Sequence, residues 1–194
     1  MMSVSNTMET EEDLLPCLHI KLYHPQQHCQ ALYQLLPLGS RCKHSADDPL
    51  RLGRDDRACT FALFDARVSR KQLSLQAYRS PHSADMLFTV QNLSQKSRMI
   101  VNGFELDYLE KMDLPDKALV RFGQYQLLIV RESGEAKGSF EVEFEVLTVS
   151  PARETCAPAG APVVDSGSWD PKSYSTEFGS HGPLETDETL ICYS

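Results

Sequence analysis

The sequence predicts an all-β domain set between two polar tails, and three observations carry that expectation. Short runs in which apolar and polar residues alternate follow one another from Cys17 to about Ser150. Turn-forming groups such as Asp47-Asp48-Pro49, Asn102-Gly103 and Ser133-Gly134 separate them. No segment sustains a helical period. A chain of 194 residues has room for one domain with tails or for two very small domains, and a hydrophobic content of 41% suits one core with polar ends. The close spacing of the runs predicts an antiparallel sandwich or barrel.

Taken in order, residues 1–16 read as a flexible acidic tail: Glu9, Glu11, Glu12 and Asp13 surround a single threonine, Thr10, with no periodic pattern. Expected strands follow in "CLHIKLYH", "CQALYQLL", "LRLG", "CTFALF", "KQLSLQAY", "DMLFTVQN", "RMIVNG" and "QYQLLIV". "SFEVEFEVL" is the clearest, with Phe140, Val142, Phe144 and Val146 on one face and Glu141, Glu143 and Glu145 on the other. In "KQLSLQAY" the inward set is Leu73, Leu75 and Ala77, while "DYLEKMDL" suits a single turn. Residues 151–194 are rich in Pro, Gly, Ser and Thr and have too little apolar surface to offset the entropy of ordering, so they read as a disordered tail.

The net charge of −8 sits in the tails, about −4 in residues 1–15 and −5 in residues 152–194, leaving the body near +1. A nucleic-acid reader should show a broad basic stripe, and none is visible. "LLPCLHIKLY" is interrupted by Pro16, His19 and Lys21, so it is expected to be neither a secretory signal nor a membrane span. The six cysteines are scattered without a CxxC pair, as in a cytoplasmic chain with reduced thiols. His28-Cys29 and Cys42-x-His44 fit no zinc spacing, and no metal or other cofactor is expected. Without a nucleophile elbow, P-loop or HExxH motif, nothing nominates an enzyme.

Three turns join a bend to a donor-rich side chain: Gly53-Arg54 in "LGRDDRACTF", Ser69-Arg70-Lys71 in "DARVSRKQLSL", and Asn92 and Asn102-Gly103 in "VQNLSQKSRMIVNG". Singly, each is ordinarily a solvated turn. Converging at one end of a sandwich, they would form a pocket of guanidinium, ammonium, hydroxyl and amide donors suited to a dianionic phosphate.

The order and spacing of Gly-Arg, Ser-x-x-polar and Asn-Gly across residues 17–150 resemble the forkhead-associated (FHA) domain family. That resemblance implies a β-sandwich of about eleven strands whose apical loops bind phosphothreonine peptides. It also implies Arg54 and Ser69 as phosphate contacts, with Arg70 or Lys71 adding charge. Asn92 would then grip the peptide backbone and Asn102 order a loop. Most members carry His where this chain has Gln72, a position that buttresses the loops. "LYHP", "VSRKQLSLQ", "YLEKMDLP" and "VRFGQYQ" resemble, more narrowly, the TRAF-interacting branch of that family.

The narrower resemblance gives the tails a meaning. Thr10, with Asp13 three residues on, would be phosphorylated by an upstream alpha-kinase and read by the FHA domain of another copy. Pro183, Glu185 and Glu188 in "GPLETDE" match the Pro-x-Glu-x-x-acidic peptide bound by TRAF-family ubiquitin ligases. The implied partners are the chain itself, as a homodimer that assembles further, that ligase and that kinase. The implied output is NF-kappa-B and innate immune signalling. The alternative is an FHA module that reads an unrelated phosphothreonine protein, with Thr10 incidental.

Overall fold

A computed structural model describes residues 15–81, 84–134 and 138–152. Among these the chain forms twelve strands in two sheets. They are β1 (Cys17–Tyr23), β2 (Arg41–Ser45), β3 (Leu50–Gly53), β4 (Phe61–Ala62), β5 (Leu73–Arg79), β6 (Met86–Asn92), β7 (Met99–Val101), β8 (Phe104–Leu106), β9 (Lys111–Leu114), β10 (Lys117–Phe122), β11 (Tyr125–Glu132) and β12 (Ser139–Val146). The larger sheet has the order β2-β12-β1-β11-β10-β7-β8 and the smaller the order β4-β3-β5-β6-β9.

Alternation builds the core between the two sheets. Leu18, Ile20 and Leu22 of β1 and Phe140, Val142 and Phe144 of β12 face Leu73, Leu75 and Ala77 of β5 and Phe88 and Val90 of β6. Phe88 meets Phe140 edge to face at 5.0 Å, and Phe61 meets Phe144 in the same way at 4.7 Å. The sandwich is not wholly antiparallel: β1 runs parallel to β12, and β3 parallel to β4.

One expected strand is absent. "CQALYQLL" folds as successive turns, closed by Leu36 N–H donating to the Tyr33 carbonyl at 3.0 Å. Its buried residues are Leu32, Tyr33 and Leu36, a spacing of one and three, so a helical turn covers the core here where a strand would expose half of it. "DYLEKMDL" makes its turn at Tyr108 and Leu109 and then continues as β9.

Register fixes which end of the sandwich each loop occupies. β3 ends at Gly53, β5 begins at Leu73 and β6 ends at Asn92, so three loops leave the smaller sheet at one end. β11 starts at that end with Tyr125, whose hydroxyl donates to Asp65 at 2.9 Å. Tyr23 pairs with Gln126 and Cys17 with Glu132, so β1 enters the fold at the opposite end.

Candidate functional site

The loops after β3, before β5 and after β6 enclose an open cleft of about 600 Å³. Five cationic side chains line it, Arg54, Arg67, Arg70, Lys71 and Lys96, against one carboxylate, Asp55. Arg54, Arg70, Lys71 and Lys96 have no salt bridge among the described residues. Ser69, Ser94, Gln95 and Tyr108 complete the polar wall.

Gly53 is what lets the first two loops meet. A Cβ there would lie 2.2 Å from the Arg70 carbonyl oxygen and 2.9 Å from the Cys59 sulfur, so only glycine fits. The close approach is sealed by Arg54 N–H donating to the Ser69 carbonyl at 3.0 Å and Asp55 N–H to the Arg70 carbonyl at 3.2 Å. Arg54 is exposed, and its Nη1 donates to the Ala66 carbonyl at 3.1 Å, which aims the guanidinium along the cleft.

Ser69 Oγ lies 2.7 Å from Ser94 Oγ, linking the second loop to the third. Gln72, buried at 1% exposure, holds both. Its Oε1 accepts from Ser69 N–H at 3.4 Å and its Nε2 donates to Ser97 Oγ at 3.2 Å. An amide therefore spans the two loops from below.

The Ser69 loop is also anchored from below. Asp65, 9% exposed, accepts from Arg67 Nε at 3.0 Å, from Arg67 N–H at 2.9 Å and from Tyr125. Burial alone would raise its carboxyl, but these donors outweigh it and hold it down at about 2. Arg67 extends the brace to Gln26 at 2.9 Å, and the Tyr125 ring packs on His24 at 4.6 Å. Burial, then the Arg67 charge, pushes the His24 pKa down.

Asn92, expected to grip a peptide backbone, is placed beneath the cleft and not on its wall. It is fully buried and does not line the cleft. Its Nδ2 donates to the Ser97 carbonyl at 3.1 Å and the Leu106 carbonyl at 3.0 Å, while its Oδ1 accepts from Ser94 N–H at 3.0 Å. All three bonds run to backbone groups of this loop and the neighbouring β8, so the amide holds the loop's shape. Asn102 orders its own hairpin: with φ 49° beside Gly103 at φ 90°, its Oδ1 accepts from Leu119 N–H at 2.7 Å, away from the cleft. Arg54, Ser69, Arg70 and Lys71 do come together. Arg67, Ser94, Lys96 and Tyr108 join them without having been singled out from the sequence. Thr10, Pro183, Glu185 and Glu188 lie outside the described residues.

The model of the FHA domain family matches residues 50–123, the segment that contributes all three cleft loops. Across 98% of this chain and the whole length of the relative, it is 35% identical to TRAF-interacting protein with FHA domain-containing protein A of Rattus norvegicus. The chain belongs to this TRAF-interacting FHA family. The Homo sapiens protein A is 34% identical over 91% of this chain and 94% of its own length, and the Homo sapiens protein B 36% over 70% and 81%. A solved FHA domain from Arabidopsis thaliana is 21% identical, covering 65% of this chain and 92% of that one, with a TM-score of 0.44. No helix among the described residues is long and apolar enough to cross a membrane.

A second polar cluster sits at the other end of the larger sheet. His19 lies 2.8 Å from Glu132 and 3.2 Å from Glu143, and Arg41 bridges Glu132, Glu141 and Glu143. Cys17, His19 and Glu143 are close enough to share an ion. Burial, however, lifts the Cys17 thiol to about 11, and the Arg41 guanidinium already engages all three carboxylates. The cluster therefore works as an ionic tie between β1, β2, β11 and β12.

Proposed function

We propose that this chain is a phosphothreonine-reading signalling adaptor that takes its own phosphorylated tail as ligand. The observation that carries the proposal is the cleft itself: five cations against one carboxylate, beside two serine hydroxyls and the Tyr108 phenol, in a family member whose relatives are named for an FHA domain. A phosphothreonine brings about −1.5 to −2 charge and three acceptor oxygens, and charge-assisted bonds from Arg54, Arg70 and Lys71 with a hydroxyl bond from Ser69 would satisfy them. Lys96, on the opposite loop, supplies a further cation.

Binding between copies is favoured over self-insertion. Seven residues from Thr10 to Cys17 span at most about 25 Å. Cys17 lies at the end of β1 remote from the cleft, and β11 alone covers about 23 Å between the two ends. A tail donated to another copy's cleft is a heterologous contact that propagates unless it closes a ring. The domain plan is then 1–16 as phospho-acceptor tail, 17–150 as reader and 151–194 as recruiting tail.

Clustering would present many copies of the Pro183, Glu185, Glu188 motif and raise avidity for a TRAF-family ubiquitin ligase without any new contact. The relatives are named for TRAF interaction, which supports this assignment. An alpha-kinase upstream, cytoplasmic action and NF-kappa-B output complete the proposal. Calorimetric titration of a Thr10 phosphopeptide into the unphosphorylated chain tests its core. Binding should require the phosphate and disappear in Arg54→Ala, a variant that stays folded because the side chain is exposed. Equal binding of the unphosphorylated peptide would overturn the reading.

A further inference from the structure

The outer face of the smaller sheet carries a second recess, of about 180 Å³, that phosphothreonine binding does not use. Strand register builds it as a row: Arg51 of β3 stands opposite Ser74 of β5, Ser74 opposite Gln91 of β6, and Gln91 opposite Lys111 of β9. At ~4.8 Å between strands, the two cations end a row about 14 Å wide. Neither has a carboxylate partner among the described residues, and no acid lines the recess. Asp113, two residues along β9 from Lys111, is engaged by the Tyr78 hydroxyl at 3.2 Å.

Ser74 lies between the two cations. It is only 6% exposed as a residue, it lines the recess, and its hydroxyl, which makes no hydrogen bond among the described residues, is open to solvent there. An accessible hydroxyl between two cations without carboxylate partners can donate to an acceptor from outside. Its neighbours are already fixed: Gln91 donates to the Leu109 carbonyl at 2.9 Å and Gln76 to the Ala46 carbonyl at 3.0 Å. Leu93 lines both this recess and the main cleft, so the two are neighbours.

We infer that this recess is an auxiliary anion site for a second acidic side chain of the same peptide whose phosphothreonine fills the main cleft, an inference that rests on the phosphothreonine reading. Leu93 to Gln91, the level of Ser74 and Lys111, is about 7 Å along the chain, so an extended peptide brings the second anion there at least two residues from the phosphothreonine. A carboxylate and a second phosphate share the required chemistry. Nucleic acid suits the site poorly, because two cations do not make the basic stripe that tracks a backbone.

Fluorescence anisotropy on the unphosphorylated full chain tests it. One phosphothreonine peptide with otherwise neutral residues is the reference, and glutamate or phosphoserine is then placed at each position up to seven residues on either side. The inference expects a gain in affinity of about five- to tenfold, confined to one or two adjacent positions on one side. Which of glutamate and phosphoserine gains more tells which source the site prefers. Arg51→Gln combined with Lys111→Gln should erase the gain and leave the reference peptide within twofold, while Ser74→Ala should reduce the gain in a protein with unchanged β-sheet circular dichroism. A uniform gain at every position, or one that survives the double variant, overturns the inference, as does an RNA oligonucleotide that binds through Arg51 and Lys111. If the reference peptide binds and no position improves it, the auxiliary site alone falls. If the reference peptide does not bind to folded protein, the phosphothreonine reading falls and takes the inference with it.

Discussion

Replacing Asn92 by alanine separates a framing residue from a contacting one. The side chain is fully buried and makes three hydrogen bonds, to the carbonyls of Ser97 and Leu106 and from the Ser94 amide. Alanine leaves all three backbone groups without that partner inside the protein. Each buried group so deprived costs about 1–3 kcal/mol, and relaxation of the loop recovers part of it, so about 3 kcal/mol is expected for the variant. Urea denaturation followed by tryptophan-independent circular dichroism measures it, with an unchanged slope marking an unchanged unfolding surface. Arg54→Ala, by contrast, removes an exposed group with one bond to the Ala66 carbonyl and should cost under about 1 kcal/mol. Both variants should lose phosphopeptide affinity, one through a displaced loop and the other through a lost contact. An Asn92→Ala protein as stable as the parent would refute the framing role and return the residue to the peptide.

Three further outcomes follow from the same geometry. Gly53→Ala forces a Cβ to 2.2 Å from the Arg70 carbonyl oxygen, so the Ser69 loop must move; a loss of about 1–3 kcal/mol together with most phosphopeptide affinity should appear in paired denaturation and titration. Asp65, held at about 2 in the fold against an ordinary aspartate value of 3.8, contributes about 2 kcal/mol that is fully present above pH 4 and is lost as pH falls through 2; stability measured from pH 5 to 2 should fall less steeply in Asp65→Asn than in the parent. Glu185→Ala should leave phosphate-dependent assembly intact and abolish ligase capture in a pull-down, whereas retained capture would make "GPLETDE" a chance match.

Much of the fold is legible because alternation is a backbone property. "SFEVEFEV" buries Phe140, Val142 and Phe144 as its pattern requires, and "KQLSLQAY" does the same with Leu73, Leu75 and Ala77. "CQALYQLL" misleads because short apolar runs do not separate a strand from a helical turn, and distant contacts decide: Phe64 N–H donates to the Leu32 carbonyl at 2.9 Å and Tyr33 meets the Tyr125 ring edge to face at 6.5 Å. The edge strands β2 and β8 carry too few buried residues to leave a pattern. At the cleft, Gly53-Arg54 and Ser69-Arg70-Lys71 were readable because a bend and a cation sit side by side. The third loop was not, since Asn92 advertises a turn without saying which way its amide points. The signal for Lys96 was there in Asn92-x-Ser94-x-x-Ser97. Ser94 Oγ accepts from Lys96 N–H at 3.3 Å and Ser97 N–H at 3.1 Å, a hydroxyl-closed turn that holds Lys96 at the rim. Arg67 was hidden for another reason: its partner Asp65 is local, but Gln26 and Gln30 reach it from a loop some forty residues earlier.

The most direct test of self-recognition is the mass of the full chain in solution, by light scattering, before and after kinase treatment, beside Thr10→Ala and Arg54→Ala. Phosphate-driven assembly predicts a sharp rise in mass for the parent alone. Mixing phosphorylated Arg54→Ala with unphosphorylated parent should give only limited complexes, since one supplies the tail and the other the cleft. An unchanged mass despite stoichiometric phosphate on Thr10 would contradict self-recognition and leave the cleft to a different phosphothreonine protein.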